Sequence, residues 1–260
     1  MPSLPRITVI TPSFNQGIYI EQTIKSIHSQ DYPNLEHLVV DGGSTDQTLD
    51  VLRKYEKQMH WVSEPDRGQT HAINKGLQGA TGDVICYLNS DDLFTPGALL
   101  KVGGFFRDHP QAFWLTGKCQ IIDQNGQEMR RPGTIYKNFW LHGHSLKVLS
   151  VMNYLSQPAT FWRRGAFEQV GYLDERWYFT MDYDYWLRLG KHYRLWFLDE
   201  YLACFRVHPA SKGSSSAKSQ FDEELEVAKQ HVSSQMLLKL HAMHNALSIS
   251  VYNYVFHVRK

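Results

Sequence analysis

Two adjacent aspartates, Asp91 and Asp92, end the polar stretch Asn89-Ser90-Asp91-Asp92, directly after the apolar run Val84–Leu88. Such a run predicts a short strand buried on both faces, so the polar residues lie where the strand ends. Neighbouring carboxylates repel each other, and a nearby cation would compensate them. Oxygen ligands at this place suit Mg²⁺ or Mn²⁺ bound to a phosphate. The alternative is that both aspartates are turn residues before a helix that starts at Thr95-Pro96.

Three more strand signals precede this one, and each is followed by a polar turn and a helical pattern. The strands are predicted over residues 6–10, 35–40 and 59–62, and the helices carry Ile20, Ile24 and Ile27, then Leu49, Leu52 and Tyr55, then Gln69–Leu77. Ser44 and Gln47 have the spacing of a capping box for the second helix. This repeated order of strand, turn and helix predicts an α/β domain with a parallel, doubly wound sheet.

In a parallel sheet the carboxyl ends of the strands face one crevice, where ligands bind. Four polar clusters are therefore expected on one side of this sheet: Thr11–Asn15, Asp41–Asp46, Glu64–Gly68 and Asn89–Asp92. The first turn has neither the G-x-G-x-x-G nor the G-x-x-x-x-G-K-[ST] pattern of phosphate-binding loops. The sequence thus argues against a dinucleotide oxidoreductase and a P-loop NTPase, and a diphosphate bound here would be held by a metal.

The composition sets further bounds. Lys and Arg number 27 against 26 Asp and Glu, so the formal net charge of +1 gives no general attraction to nucleic acid. The three cysteines are far apart, which fits neither a disulfide framework nor a zinc site. The sequence shows no signal peptide and no apolar stretch long enough to span a membrane. We expect a cytoplasmic protein, with the inner face of the membrane as the alternative location.

The second half of the chain departs from the parallel pattern, and a mixed sheet is expected there. Its predicted elements are a strand at Ala112–Ile122, a hairpin turn at Asn125-Gly126, helices over 139–151 and 183–189, and a strand over 193–207 that ends at His208-Pro209. Gly190 is expected to stop the second of these helices. His142 and His144 are interpreted as part of a solvated loop.

The last fifty residues are predicted to be a linker and a long helix. Residues 211–220 are small and polar, and Phe221–Ser250 reads as helix. One face of this helix carries an apolar stripe made of Met236, Leu240, Met243 and Leu247. Packing against the core or a partner is the simplest role of the stripe, and docking on a membrane surface is the alternative. His241 and His244 are expected on a solvated face.

Taken together, these motifs resemble glycosyltransferase family 2, the inverting enzymes of the GT-A fold, and in particular its bacterial polysaccharide-type members. The resemblance runs from about Arg6 to His208 and rests on four motifs in order: Thr11-Pro12-Ser13-Phe14-Asn15, Asp41-Gly42-Gly43-Ser44-Thr45-Asp46, the segment Asp66–Gly76, and Asn89–Asp92. It implies a GT-A domain over residues 1–210, with a nucleotide-sugar half over about 1–110 and an acceptor half over 111–210. Residues 211–260 would be a linker and a C-terminal helical extension.

The resemblance also assigns roles to individual residues. The base and ribose of a nucleotide-sugar would be held by Thr11, Pro12, Ser13, Asn15 and Asp41, with Asp66 as a further candidate. Asp91 corresponds to the aspartate that holds Mn²⁺ or Mg²⁺ on the diphosphate, and Asp92 is the second candidate ligand. Gln157 and His208 are candidates for contacting the acceptor or the diphosphate. A UDP-sugar is the favoured donor, and thymidine and guanosine donors stay open.

Two positions depart from the family pattern. Asn89 stands where the first metal-binding aspartate often is, and Met181 stands where a Glu-Asp pair has its glutamate. Asp182 keeps the second place of that pair and is the expected general base. Asp184 lies four residues before Arg188, so an i,i+4 ion pair accounts for it.

The predicted function is transfer of a sugar from a nucleoside-diphosphate-sugar to a hydroxyl of a glycan or lipid-linked acceptor. A single displacement would invert the sugar carbon, assisted by a metal and by Asp182 as base. One alternative is a non-catalytic nucleotide-sugar-binding or scaffold protein. Another is a sugar nucleotidyltransferase, which usually has a basic glycine-rich loop that residues 11–17 lack. A membrane surface is a possible further partner, whereas nucleic acid is not expected. The oligomeric state is not predicted.

Overall fold

Eight strands of the computed structural model form one sheet in the order β3-β2-β1-β4-β7-β6-β8-β5. The structure describes residues 3–129, 131–143, 145–212 and 217–257. The strands are β1 (Ile7–Ser13), β2 (Leu35–Asp41), β3 (His60–Ser63), β4 (Val84–Tyr87), β5 (Leu93–Phe94), β6 (Trp114–Ile122), β7 (Thr160–Arg163) and β8 (Leu195–Arg206). β1 to β4 are parallel, β7 runs antiparallel to both β4 and β6, and β5 runs antiparallel to β8. The predicted α/β fold, parallel first and mixed later, is confirmed.

Helices alternate with the strands in the first half and dominate the end of the chain. They are α1 (Ile20–His28), α2 (Thr48–Tyr55), α3 (Gln69–Gly79), α4 (Ala98–Asp108), α5 (Arg131–His142), α6 (Leu146–Leu149), α7 (Arg164–Val170), α8 (Met181–His192), α9 (Ala217–His231) and α10 (Gln235–His257). A 3₁₀ turn, Gln157–Ala159, precedes β7. None of the helices in the described ranges is long and apolar enough to cross a bilayer.

The central strand β4 is buried on both faces, as the sequence predicts. Ile85 and Tyr87 belong to one apolar cluster, whereas Val84, Cys86 and Leu88 belong to another. Successive side chains of a strand point to opposite faces of the sheet, so a separate core covers each face of β4. The strand therefore holds the following polar turn at a fixed place between two packed layers.

Two element ends in the first half differ from the prediction. β1 continues through Ser13, so Thr11 and Pro12 are strand residues and not part of a turn. Helix α4 begins at Ala98 and not at Thr95, since the Thr95 N–H and hydroxyl both donate to backbone carbonyls of β8. Thr95 thus follows the short strand β5 and continues its pairing with β8 instead of capping a helix.

Gly190 lies within α8 and does not stop it, contrary to the prediction. A Cβ atom at this position would lie 2.6 Å from Cδ1 of Leu146, so glycine is needed for the close approach of α6 to α8. The predicted helix over 139–151 is likewise two helices, α5 and α6, joined around Gly143.

The C-terminal helix is also divided, because residues 232–234 separate α9 from α10. The apolar stripe of Met236, Leu240, Met243 and Leu247 is exposed, so packing against the core is the wrong interpretation of it. His241 is fully buried and lies 3.0 Å from the Ser150 carbonyl, whereas a solvated position was predicted for it. Residues 213–216 of the predicted linker and His144 lie outside the described residues.

Candidate active site

The carboxyl ends of the first four strands meet at one edge of the sheet. The register pairs Ser13 with Asp41 and Asp41 with Ser63, so the last residues of β1, β2 and β3 lie side by side. β4 lies on the other side of β1, with Ile10 opposite Tyr87, and its polar turn follows directly. The predicted convergence of the four polar clusters follows from this register.

Asp41 organises the turn after β2. Its carboxylate is fully buried and accepts hydrogen bonds from the backbone of Gly43 and Ser44 and from the hydroxyls of Ser44 and Ser63. Ser44 does not cap α2, which begins at Thr48 with its N–H bonded to Asp46. Both carboxylate oxygens of Asp41 already accept internal hydrogen bonds, and its contact with a nucleotide stays a prediction.

The predicted nucleotide-binding residues of β1 have different surroundings. The Thr11 hydroxyl is buried against His37, 3.0 Å from Nε2, and Pro12 is buried beside it. Ser13 is 95% buried, and its hydroxyl has no hydrogen-bond partner among the described atoms. Asn15 adopts a left-handed conformation with φ of 52° and bonds to Ser44 and Thr45 of the next turn. Ser13 is thus the strand residue with an unused donor at this edge.

Asp66 packs against the turn after β2. Its Oδ1 accepts the Gly68 N–H at 2.7 Å, and a Cβ atom at Gly42 would lie 2.7 Å from its Oδ2. The carboxylate therefore lies almost on the Gly42 backbone, which only glycine permits. This contact brings the turns after β2 and β3 together.

Asp91 meets His208 from the far end of the chain. Their closest atoms, Asp91 Oδ2 and His208 Nε2, are 3.0 Å apart. The His208 side chain is 3% exposed and that of Asp91 is 18% exposed, so the pair borders solvent on the aspartate side. The Tyr19 ring lies 4.6 Å from the His208 ring. His208 is thus a buried partner of Asp91 and not a surface residue.

Asp92 has a different role from its neighbour. Its carboxylate is fully buried, Oδ1 accepts the Arg206 N–H at 2.8 Å, and Oδ2 accepts from the Asn89 amide at 3.2 Å. Burial, followed by the charge of Asp91, raises the pKa of Asp92 well above its usual range. The sequence did not identify Arg206 as the expected compensating cation. Its buried guanidinium donates to Asp91 O and lies 5.1 Å from the Tyr19 ring.

A row of hydrogen bonds connects the two halves of the site. Asn89 Oδ1 accepts from Gln69 Nε2 at 2.7 Å, and the Asn89 amide lies 3.5 Å from Gln157 Oε1. Gln157 in turn donates to the Tyr87 carbonyl, and Lys212 Nζ donates to Gln69 Oε1 at 3.2 Å. Gln69 and Lys212 were not predicted from the sequence. The position of Gln69 directly after Asp66-Arg67-Gly68 was the available signal.

Asp182 lies in the first turn of α8, half-buried, with Oδ1 accepting the Tyr183 N–H at 2.7 Å. Burial raises the pKa of this carboxyl group. Lys212 is near enough that Asp182 affects it: burial lowers the pKa of Lys212 to about 8, against the opposing charges of Glu223 and Asp182. Asp184 pairs with Arg188 at 2.8 Å, as predicted, and also with His231 at 2.7 Å.

A divalent cation would find two protein ligands here, the Asp91 carboxylate and the His208 imidazole. No group of three or more His, Cys, Asp and Glu side chains in the described part of the chain is arranged to hold a metal. Mg²⁺ and Mn²⁺ commonly take few protein ligands and complete their coordination with phosphate and water oxygens. A carboxylate and an imidazole 3.0 Å apart therefore fit such an ion on a diphosphate.

Curated relatives of this chain are bacterial glycosyltransferases. A putative teichuronic acid biosynthesis glycosyltransferase of Bacillus subtilis is 40% identical over 126 residues, which is 47% of this chain and 50% of that protein. An uncharacterized glycosyltransferase of Rickettsia typhi is 25% identical over 235 residues, which cover 84% of this chain and 69% of that protein. The chain thus spans half the length of the Bacillus relative.

Solved structures share the fold. A mannosyltransferase from Pyrobaculum calidifontis, in complex with GDP-Man and Mn²⁺, superposes with a TM-score of 0.71 at 22% identity, over 93% of this chain and 69% of that one. S. aureus TarS 1-349 in complex with UDP-GlcNAc superposes with a TM-score of 0.69 at 20% identity, over 88% of this chain and 67% of that one. The expected GT-A fold is confirmed. The family profile described as glycosyl transferase family 2 matches residues 8–171, and the chain therefore belongs to that family.

Proposed function

We propose that this chain transfers a sugar from a nucleoside-diphosphate-sugar to a hydroxyl group of a glycan or lipid-linked acceptor, with inversion at the sugar carbon. The arrangement that carries the proposal is the contact of Asp91 with His208 beside the hydrogen-bonded row Asn89, Gln69 and Lys212. The row leads from the end of β4 to Lys212, whose ammonium feels the charge of Asp182.

Asp182 is proposed as the general base. An attacking hydroxyl is a weak nucleophile until its proton is accepted. Since Asp182 Oδ1 already accepts the Tyr183 N–H, Oδ2 is the atom that would take the proton. Burial raises the pKa of Asp182, which makes its carboxylate a stronger base than an exposed aspartate.

Asp91 and His208 would hold Mn²⁺ or Mg²⁺ on the opposite side of the reacting carbon. When bound, a divalent cation neutralises charge on the departing diphosphate. Asp92 contributes indirectly in this assignment, because its buried carboxylate fixes the Arg206 backbone two residues before His208. Lys212 is a second positive group beside the site, and its ammonium lies 3.8 Å from the Tyr178 ring centroid.

The donor half is proposed to bind the nucleotide at the ends of β1 to β3. Ser13 offers a buried hydroxyl without a partner among the described atoms, which an acceptor atom of a base or ribose would satisfy. Asp41 holds the turn that carries this surface, and Thr11 and Pro12 support it from the strand. We favour a UDP-sugar, in line with the UDP-GlcNAc complex of TarS, while the GDP-Man complex keeps guanosine open.

The acceptor is proposed from the chemistry of the relatives. The Bacillus relative is named for teichuronic acid biosynthesis, a process that builds a glycan. A hydroxyl of a growing glycan, free or on a lipid carrier, is the corresponding acceptor for this chain. Gln157 borders both Tyr87 and Asn89, and so would face the donor sugar and not the distal acceptor.

A panel of nucleotide-sugars tests the proposal. Thermal melting is measured with each donor in the presence of Mn²⁺, because a bound donor raises the melting temperature by mass action. Slow release of free sugar from the stabilising donor, without acceptor, is then expected. Stabilisation without any turnover, also with added glycan acceptors, would indicate a binding or scaffold protein. Formation of a nucleotide-sugar from a sugar phosphate and a nucleoside triphosphate would indicate a nucleotidyltransferase.

A further inference from the structure

Helix α10 presents an apolar face that the rest of the described chain does not cover. Five large side chains on this face are 43–68% exposed: Met236, Leu240, Met243, Leu247 and Val251. The opposite face is packed, since His241 and Asn245 are buried and Asn245 Nδ2 donates to the Phe221 carbonyl of α9 at 2.8 Å. The stripe is thereby fixed in an outward direction.

Helix α5 adds exposed apolar side chains next to this stripe. Ile135, Tyr136 and Phe139 are 47–68% exposed on one side of α5. The Tyr136 hydroxyl lies 3.2 Å from Nε2 of His244, and the two rings are stacked. Eight of the seventeen exposed large apolar side chains in the described chain thus lie on two touching helices, here called the α5–α10 face. A concentration of this kind is typical of an interaction site and not of scattered surface residues.

The charged residues of α5 and α10 themselves have one sign. The two helices contain Arg131, Lys137 and Lys239 and no Asp or Glu. Lys239 of α10 is exposed and Lys137 of α5 is half-buried, and Lys147 of α6 is a further exposed lysine. The two helices that form the face are therefore basic, in a protein whose formal net charge is only +1.

We propose that the α5–α10 face docks on an anionic lipid bilayer surface. Exposed apolar side chains on two helices that carry basic and no acidic residues match an interface of acyl chains and negative headgroups. A second copy of the chain fits less well, because a twofold dimer through this face would bring two basic surfaces together. No helix needs to span the bilayer for such docking.

The docked face connects to the proposed catalytic helix. His241 of α10 lies 3.5 Å from Glu224 of α9, and the adjacent Glu223 accepts hydrogen bonds from residues 178–180, directly before α8. Docking would therefore hold the acceptor half against the bilayer. This orientation suits a lipid-linked acceptor, a point that rests on the function proposed above.

Vesicle sedimentation of the full chain tests the docking. The probes are vesicles of phosphatidylcholine alone and vesicles with equal parts of phosphatidylcholine and phosphatidylglycerol. We expect binding to the anionic vesicles, weakened by high salt, and a fall of about tenfold or more in the partition coefficient for Met243→Asp/Leu247→Asp and for Phe139→Asp. Leu100→Asp, at an exposed leucine of α4, is the matched control and should bind as the wild type does.

Three results would overturn the proposal. The first is wild-type protein that stays in solution with anionic vesicles, and the second is binding that the α5–α10 variants retain. The third is a wild-type dimer by light scattering that Met243→Asp/Leu247→Asp converts to monomer, since a second copy would then cover the face. Vesicle binding needs neither donor nor acceptor. The docking proposal can therefore be tested even if the proposed enzymatic activity is wrong. Donor hydrolysis in solution should be unchanged in all three variants.

Discussion

Asp91 and Asp92 are adjacent in sequence, but their carboxylates serve different purposes. Asp92 is fully buried and both of its oxygens accept internal hydrogen bonds, whereas Asp91 is partly exposed beside His208. Asp91→Ala should therefore abolish metal-dependent binding of a nucleoside diphosphate while the fold survives. Calorimetric titration with and without Mn²⁺ measures this.

Asp92→Asn is the matched control for the metal prediction. It should keep the dependence on Mn²⁺ but lower the free energy of unfolding by about 1–3 kcal/mol, because the new amide NH₂ would face the Asn89 NH₂ that donates to Asp92 Oδ2 in the wild type. Equal, metal-independent affinity of the wild type and Asp91→Ala would remove the metal site. Loss of the Mn²⁺ effect in Asp92→Asn alone would mean that the wrong aspartate was chosen.

Asp182 and Asp184 form a second pair in which one residue serves chemistry and the other serves structure. Asp182→Asn should keep the fold and the donor affinity but lower kcat by ~10²–10⁴, the usual contribution of a positioned general base. In the wild type, kcat/KM should fall toward acid pH as Asp182 gains a proton, at a higher pH than for an exposed aspartate, because burial raises the pKa of Asp182. Initial rates across pH measure both effects.

Asp184→Asn provides the comparison within the same helix turn. Burial would raise the pKa of Asp184, but the bonds to His231 and Arg188 outweigh it and the pKa is lowered. Replacing Asp184 should cost mainly stability, because Arg188 and His231 both lose a buried carboxylate partner. If the Asp184 variant loses turnover and the Asp182 variant keeps it, the base is misassigned.

The range of a contact decides which of these residues the sequence could identify. The Asp184–Arg188 pair is local, four positions along one helix, and was predicted. The Asp91–His208 contact joins residues 117 positions apart, and only the family pattern indicated that His208 belonged to the site. Arg206 and Lys212 carried no local signal, because their partners lie on other elements. Ser44 shows the converse. Its predicted capping of α2 is wrong, because Asp46 and not Ser44 accepts the hydrogen bond from the first residue of that helix.

At the level of elements, α9 fixes the segment that leads into α8. Glu223 accepts hydrogen bonds from the N–H groups of Tyr178, Phe179 and Thr180 and from the Thr180 hydroxyl, at 2.7–3.1 Å. Thr180 is the N-cap residue of α8 and makes no side-chain cap bond itself. Glu223 therefore acts as a positioning residue for the first turn of α8, where Asp182 lies.

Glu223→Ala should lower kcat by about ten- to a hundredfold at unchanged donor KM, because a small displacement of a catalytic group is costly. Glu223→Gln keeps an acceptor oxygen and should recover part of the loss. Glu226→Ala, on the same helix but in an exposed pair with Lys229, is the control and should have wild-type rates. A proportional rise in donor KM in Glu223→Ala would contradict a role confined to α8.

Glu224, next to it, predicts a pH dependence of stability. Burial raises its pKa to about 7, with Asn153 N–H and Lys137 opposing and Asp182 assisting. The folded state thus retains a proton that the unfolded state releases near pH 4.5. The stabilisation that this proton contributes is fully present below pH 4.5 and is lost as the pH rises to about 7. Glu224→Gln should be neutral in acid and more stable than wild type above about 7. Parallel melting curves across pH would contradict this.

Element type was predicted better than element ends. Thr95-Pro96 has the composition of a helix start. However, the backbone N–H and the hydroxyl of Thr95 donate to carbonyls of β8, and Tyr201, which accepts from the hydroxyl, is 106 residues away in sequence. Gly190 has the composition of a helix stop, but the packing of α6 on α8 requires it inside the helix. In both places a tertiary contact overrides the local preference.

For the whole molecule, the periodic strand-helix pattern sufficed to predict the parallel half of the sheet. The position of the last helices could not be predicted in this way, because residues 211–260 carry no signal for what they pack on. The predicted boundary at residue 210 stays a prediction. Val227 and Ala228 of α9, however, belong to the same apolar cluster as Tyr183 and Trp186 of α8. His231 and Glu224 also bond to residues of the preceding 210.

Removal of residues 217–260 should therefore destabilise the whole domain. It would expose the α8 side of the main core and leave Asp184 without His231 and the segment 178–180 without Glu223. We expect the free energy of unfolding to fall by several kcal/mol, a large share of the ~5–15 kcal/mol of a typical domain. Urea unfolding measures the change, and Leu247→Asp, on the exposed stripe, should stay within about 0.5 kcal/mol of wild type. A truncated chain as stable as the full one would instead make α9 and α10 an independent extension.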